Sequence, residues 1–468
     1  MSAPAAGPEQ RGWSAGDGPP RIPSGRRLAA GATAKLAGEA LTRLASFGIL
    51  LWAARHLGPT GFGTYLYGLG TGFVLGQGAD LGLQLLVSRE AAAIGASASP
   101  LVRTALGVKL WLSAIAALVL VVLSGGQPFL VHASLLALGW AMVLQTFVEF
   151  AAHVFRGNQQ LGREVGLLTS TRLFSAAACA LVLWRDGNLL QLSAAVLATS
   201  AIGGGVAVWL LYREAWLVAD RPPLPVGTPS VPLSRLGLLR EALPLGVAIV
   251  LSAVYLRVGW ILTYNLSGDE AVAQLGIAQR LVEAAQLVPA AVIAAIFPAY
   301  TRAFWSEGHG GSRLGPTSAA ILATLGFAAA GTLWWAAGGL VPVLFGRAYL
   351  EAVPVLRVFA LALPLMYLNY LLTHLVIARG SQRLLAWFGA VMLGVHVLAS
   401  WILIQRWGAV GVASSTVAAE AVLFLCCAAA LRADPRDRRS GAGPETKGER
   451  LRVGAWERGE AGPVERRP

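Results

Sequence analysis

Charge is scarce in this chain: Asp, Glu, Lys and Arg together make up 13% of its 468 residues, against about 25% in a soluble domain. That shortage excludes a water-compatible surface of ordinary size. Cysteine is nearly absent. Cys179, Cys426 and Cys427 sit in apolar runs without metal-ligand spacing, so neither a disulfide framework nor a thiolate metal centre is expected. The sequence has no phosphate-cradling Gly-rich loop ending in Gly-Lys and no His/Cys cluster, so no nucleotide, metal or other cofactor is expected.

What is abundant is apolar. Hydrophobic residues reach 56% and the mean hydropathy is +0.61, which makes the bilayer the natural solvent. The 55 glycines suit membrane helices that approach closely through small residues. A helix needs about 20 apolar residues to cross the hydrocarbon core. By that measure the chain predicts an all-α polytopic protein of twelve spans, near 30–56, 62–87, 101–124, 129–155, 164–184, 189–212, 238–264, 271–299, 317–345, 350–378, 384–405 and 408–431. This divides into a tail at 1–28, a six-helix lobe at 29–213, a Pro-rich linker at 214–236, a second six-helix lobe at 237–431 and a basic tail at 432–468. Residues 1–28 lack the apolar core of a cleavable signal, so the first span is expected to serve as an uncleaved anchor.

The formal charge is +13, and the placement of the arginines accounts for it. With the N-terminus inside, inner loops hold Arg89, Arg103, Arg156, Arg163, Arg213, Arg221, Arg235, Arg240, Arg302, Arg313, Arg379 and Arg383, and both tails are Arg-rich. Outer loops hold only Arg55, Arg185, Arg347 and Arg406. Lys/Arg bias in short loops sets orientation, so both termini are predicted to be cytoplasmic. The basic tails then suit anionic membrane lipid rather than nucleic acid. Phe155-Arg156-Gly157-Asn158-Gln159 after span four is echoed by Ala378-Arg379-Gly380-Ser381-Gln382 after span ten, an internal repeat in keeping with two like-oriented halves and a substrate between them.

Several stretches form an ordered set. Ala54-Arg55-His56-Leu57-Gly58-Pro59-Thr60-Gly61-Phe62-Gly63-Thr64-Tyr65 comes first. Asp80-Leu81-Gly82-Leu83 with Val87-Ser88-Arg89-Glu90 follows, then Phe297-Pro298, Leu344-Phe345-Gly346 with Tyr349, and Gly408-Ala409-Val410-Gly411-Val412-Ala413. In that order they resemble the polysaccharide and O-antigen flippases. The resemblance covers about residues 30–430. It implies the MATE-like fold of the multidrug/oligosaccharidyl-lipid/polysaccharide exporter superfamily, with two six-helix lobes around a central cavity and alternating access. It implies a transporter rather than an enzyme, in a bacterial cytoplasmic membrane. Its implied substrate is an undecaprenyl-pyrophosphate-linked oligosaccharide for surface polysaccharide such as O-antigen, lipopolysaccharide or exopolysaccharide. Polysaccharide polymerase and glycosyltransferases are the implied partners. The chain departs from many relatives by turning hydrophilic after span twelve, and by carrying Gly259 after Tyr255-Leu256-Arg257-Val258 where they have an Asp.

The charges inside the spans carry the chemistry. A Lys or Arg at a helix centre costs about 2.5–3.5 kcal/mol to insert, so each is expected to face a wet cavity or to pair. Lys35, Glu39 and Arg43 fall at i, i+4 and i+8, on one helix face. Arg280 and Glu283 are i and i+3. Arg43, Arg257 and Arg280, with Lys35 and Arg357, are the candidate contacts for a pyrophosphate, since guanidinium groups grip such anions bidentately. Glu39, Glu283, Glu420, Glu149 and Asp80 are the candidate coupling or charge-tuning acids. Self-satisfied ion pairs that glue helices together are the other reading of all these groups. Glu149 and His153, at i and i+4, form either a proton relay or a packing hydrogen bond. Asp80 either caps a helix or pairs with a loop arginine. Lys109 and Arg172 are expected to snorkel to the inner surface.

Three other activities stay open on the sequence. A multidrug or cation antiporter of the same fold would favour an acidic or apolar cavity. A peptidoglycan lipid-precursor flippase shares the diphosphate. A membrane-embedded polymerase or glycosyltransferase would need longer outer loops than these.

Overall fold

The computed structural model describes residues 25–94, 98–214, 234–294, 296, 314–378 and 382–432, with side chains over 38–94, 98–214, 234–294, 296, 315–377 and 384–432. Every regular element among them is helical: α1 (Gly25–Asp80), α2 (Leu83–Ile94), α3 (Ser99–Ser124), α4 (Phe129–Gly157), α5 (Leu161–Trp184), α6 (Leu189–Arg213), α7 (Arg235–Ser267), α8 (Asp269–Ala285), α9 (Leu314–Leu344), α10 (Ala352–Ala360), α11 (Leu363–Ala378) and α12 (Gln382–Arg432). A short 3-10 turn, Arg347–Tyr349, links α9 to α10. Eight of the described helices are long and apolar enough to cross a membrane, or nine if the bent pair α10 and α11 is one span. The protein is an all-helical polytopic membrane protein.

Two helices are broken rather than continuous. α1 breaks at Gly58 (φ 68, ψ 177), a conformation that is essentially glycine's alone. Pro59 then opens the second leg, where its missing N–H costs nothing. α12 breaks at Gly408 (φ 52, ψ −131). The legs of α1 fall on the first two expected spans and those of α12 on the last two. Caps are local and readable: Asn188 and Gln191 form a reciprocal capping box at the start of α6, and Ser234 caps α7 through the Gly237 N–H.

The chain forms two compact units, residues 1–276 with 341–350, and residues 277–340 with 351–468. In the first, α4 packs against α1 and α6, and α1 also packs against α7. The α1–α4 contact is close because Gly68, Gly72 and Gly76 form a stripe at four-residue spacing. A Cβ on Gly72 would stand 2.7 Å from the Gly139 Cα, and one on Gly76 3.1 Å from a Thr146 methyl. Leu86, Leu101, Phe150, Phe155, Leu211 and Leu238 fill a buried apolar core among α2, α3, α4, α6 and α7. In the second unit, α12 packs against α10 and α11. There the His396 ring bonds the Ser415 hydroxyl at 3.2 Å, and Ser415 bonds Ser400 at 2.6 Å, tying the two legs of α12 together. The three cysteines are free thiols. Trp52, Trp184 and Trp407 are exposed near span ends, as an interfacial belt requires.

Candidate functional site

Within the first unit, α1, α4 and α5 enclose a cavity of about 290 Å³. Its charge comes from three helix faces, each legible as a spacing. Glu39 and Arg43 project from α1. Glu149, His153 and Arg156 project from α4 at i, i+4 and i+7. Glu164 and Arg172 project from α5 at i and i+8. Helix geometry places each set on one side. Thr42, Ala152, Val165, Leu168 and Thr169 complete the wall. α1 lies tightly against α5 here, since a Cβ on Gly38 would stand 2.9 Å from the Thr169 hydroxyl.

The charges differ in how firmly they are held. Arg156 donates from Nε (2.8 Å) and from a terminal nitrogen (2.6 Å) to one oxygen of Glu164, which is fully buried. That bonding fixes Arg156. Among the described residues Arg43 has only a 3.9 Å contact with Glu39, and its side chain is 59% exposed. His153 donates from Nδ1 to the Glu149 backbone carbonyl at 2.9 Å, a packing bond rather than a link to the Glu149 carboxylate.

The other expected residues lie elsewhere. Asp80 and Lys109 form a fully buried ion pair at 2.7 Å, with the ammonium also 5.2 and 5.8 Å from the Phe147 and Phe150 rings. Lys109 therefore does not snorkel to the surface: its stem is enclosed by α4 aromatics and its charge is neutralised in place. Asp80 also accepts from the Gln84 N–H at 3.4 Å, at the start of α2. Arg257 of α7 lies over Trp260 (4.4 Å) and over Phe73 of α1 (5.5 Å), a stacking that a flat guanidinium tolerates well. Arg280 bonds Glu283 at 2.8 Å, and Arg357 reaches the Trp334 carbonyl at 3.4 Å. Glu420 accepts from the Asn369 amide at 2.7 Å across α11 and α12. The Lys35 side chain lies outside the described residues, as do Phe297-Pro298 and Arg379. Among the described residues no group of three or more His, Cys, Asp or Glu side chains is placed to hold a metal.

Residues 28–304, more than half of the chain, match the family described as polysaccharide biosynthesis protein. The chain belongs to that family. No curated protein matches it. Solved structures share its fold at low identity. An inward-facing multidrug resistance MATE family transporter of the MOP superfamily is 14% identical, with a TM-score of 0.64 over 86% of this chain and 98% of that one. The lipid II flippase MurJ, in an inward closed conformation, is 12% identical, with a TM-score of 0.65 over 86% and 88%. A MOP superfamily transporter from Pyrococcus furiosus, whose description speaks of reversed binding-pocket polarity, is 13% identical, with a TM-score of 0.58 over 87% and 95%. This member of the polysaccharide biosynthesis family thus has the MATE-like fold that the resemblance implied.

Proposed function

We propose that the protein is a flippase that carries an undecaprenyl-pyrophosphate-linked oligosaccharide from the inner to the outer leaflet of a bacterial cytoplasmic membrane. On this reading both termini are cytoplasmic, glycosyltransferases supply the substrate, and a polymerase consumes the product. The reading is carried by one observation: in a polysaccharide biosynthesis family member, an arginine inside the membrane domain is left loosely partnered. Arg43 opens onto a charged cavity with its only ion pair among the described residues stretched to 3.9 Å, whereas Arg156 and Lys109 are committed to buried carboxylates. An intramembrane cation kept available fits an anionic cargo. Arg43 is the first contact for the diphosphate, with Arg172 beside it. Arg257 supplies a second, stacked guanidinium. Arg280 and Arg357 would serve once their present partners release them, and Lys35 is a further candidate contact. Glu39 and Glu149 tune the charge of the cavity; Glu283, Glu420 and Asp80 hold partners in the state described.

The test is export. Arg43→Ala should abolish surface polysaccharide while membrane-inserted protein stays at wild-type level, and Arg43→Lys should restore only part of it, because an ammonium lacks the bidentate fork. In liposomes, the purified protein should expose a fluorescent diphosphate-linked glycolipid to a quencher outside, and a monophosphate analogue should move more slowly. Normal export in Arg43→Ala cells would remove this reading.

A further inference from the structure

The cavity among α1, α4 and α5 holds as much negative charge as positive. Among the described residues its wall carries Arg43, Arg156 and Arg172 against Glu39, Glu149 and Glu164. His153 adds nothing to that balance. Its Nδ1 donates to the Glu149 carbonyl at 2.9 Å, which in a neutral ring leaves Nε2 an acceptor. Nε2 stands 3.5 Å from a terminal nitrogen of Arg156, a donor that a second ring N–H would confront like to like. The Asp80–Lys109 pair, which packs on α4 beside the Phe147 and Phe150 rings, cancels within itself.

A diphosphate diester brings two negative charges at any pH near neutrality. In a balanced cavity inside the membrane domain both would be surplus, where uncompensated charge is costly. Like charges gathered at one site relieve themselves by binding a proton. Three carboxylates are at hand, and their surroundings choose among them. Glu164 is fully buried and takes two donors from Arg156, so its charge is already answered. Glu39 is half exposed, and water screens it. Glu149 is half-buried on the α4 wall. Among the described residues it forms no ion pair, and the bond that reaches it from His153 goes to its backbone oxygen.

We propose that Glu149 takes up one proton as the diphosphate binds, so that the loaded cavity gains one negative charge rather than two. The proton comes from water on the side where the cargo enters and adds to the carboxylate; no other bond is made or broken. This rests on the flippase reading and deepens it. Arg43 and Arg172 attract the diphosphate, and Glu149 sets the proton concentration at which it is held. Binding linkage then fixes the sign: a proton on Glu149 strengthens the hold on cargo, so affinity falls as the pH rises.

The test titrates purified full-length protein with a short-chain polyprenyl diphosphoryl N-acetylglucosamine, a diphosphate diester whose own charge is constant across the neutral range. Calorimetry in buffers of different ionisation enthalpy counts the protons taken up. The wild-type protein should take up close to one proton per glycolipid, and its affinity should weaken with rising pH by about ten-fold per unit at the steepest. Glu149→Gln, which has the shape of the protonated side chain, should bind with no proton uptake and a flat pH profile. Glu39→Gln should keep the wild-type proton count whatever it does to affinity. Glycolipid bound by the wild-type protein with no proton taken up would overturn the inference and leave the flippase reading standing. A proton count that survives Glu149→Gln, or one that is lost in Glu39→Gln instead, would overturn the assignment to Glu149. The wild-type count decides even where Glu149→Gln fails to fold. Absence of glycolipid binding at every pH would overturn the flippase reading and this inference with it.

Discussion

Without the Lys109 ammonium, Asp80 would keep a carboxylate in an apolar enclosure with its main partner gone. Breaking a buried pair in this way costs about 3–5 kcal/mol, a large part of a fold's net stability. Lys109→Ala should therefore lower the melting temperature in detergent by many degrees and deplete the protein from membranes. The double change Lys109→Met with Asp80→Asn should recover most of the loss, because no unpaired charge is then left behind. This pair was not legible in the sequence: its partners are 29 residues apart in the chain, on α1 and α3, and only tertiary packing brings them together. The cavity was more legible. Glu39 and Arg43, and Glu149, His153 and Arg156, announce their shared faces by spacing alone. What spacing could not say is that three such faces on α1, α4 and α5 look at one another, so Arg156 was placed in an inner loop, Arg172 was expected to snorkel, and Glu164 was not singled out.

At the scale of elements, close approach and breakage are both set by glycine. The Gly68, Gly72 and Gly76 stripe lets α1 touch α4 at backbone distance, which is where helices in lipid find their attraction when no hydrophobic force separates protein from solvent. Gly72→Leu should push α1 from α4, and fluorescence-detected size exclusion should show aggregated rather than monodisperse protein. Gly58 has a different duty. An alanine there must hold a backbone conformation that costs about 1–3 kcal/mol, so Gly58→Ala should fold less stably, by a comparable figure in a detergent melt, even though no atom crowds the site. The helices themselves were readable from apolar runs, because the bilayer fixes their length. The breaks at Gly58 and Gly408 were readable as span boundaries but not as helix running up to a single residue on both sides.

For the whole molecule, the arginine bias predicts a topology that a reporter can read. A green fluorescent protein fused after residue 468 should fluoresce and an alkaline phosphatase fused there should stay inactive, while a phosphatase inserted between Arg185 and Asn188 should be active. The opposite pattern would invert the molecule. The division into six and six helices follows the sequence, whereas the compact units follow contact, and they part company at α7. Packing answers only to which surfaces fit: α7 meets α1 through Trp260 against Gly70, and meets the turn between α1 and α2 through Gly246 against Gly82.

The segment 341–350, which packs into the first unit while the chain on both sides of it forms the second, bears on how the protein is made. Synthesis is vectorial, so everything up to α7 is delivered to the membrane before that segment exists. Until some seventy further residues have been added beyond Gly276, the Ala54 carbonyl lacks the Tyr349 hydroxyl and Phe62, already stacked on Tyr65, lacks its edge-on contact with the Tyr349 ring. The nascent N-terminal half must therefore wait with one end uncapped, and its assembly is finished by a piece of chain that the ribosome supplies late.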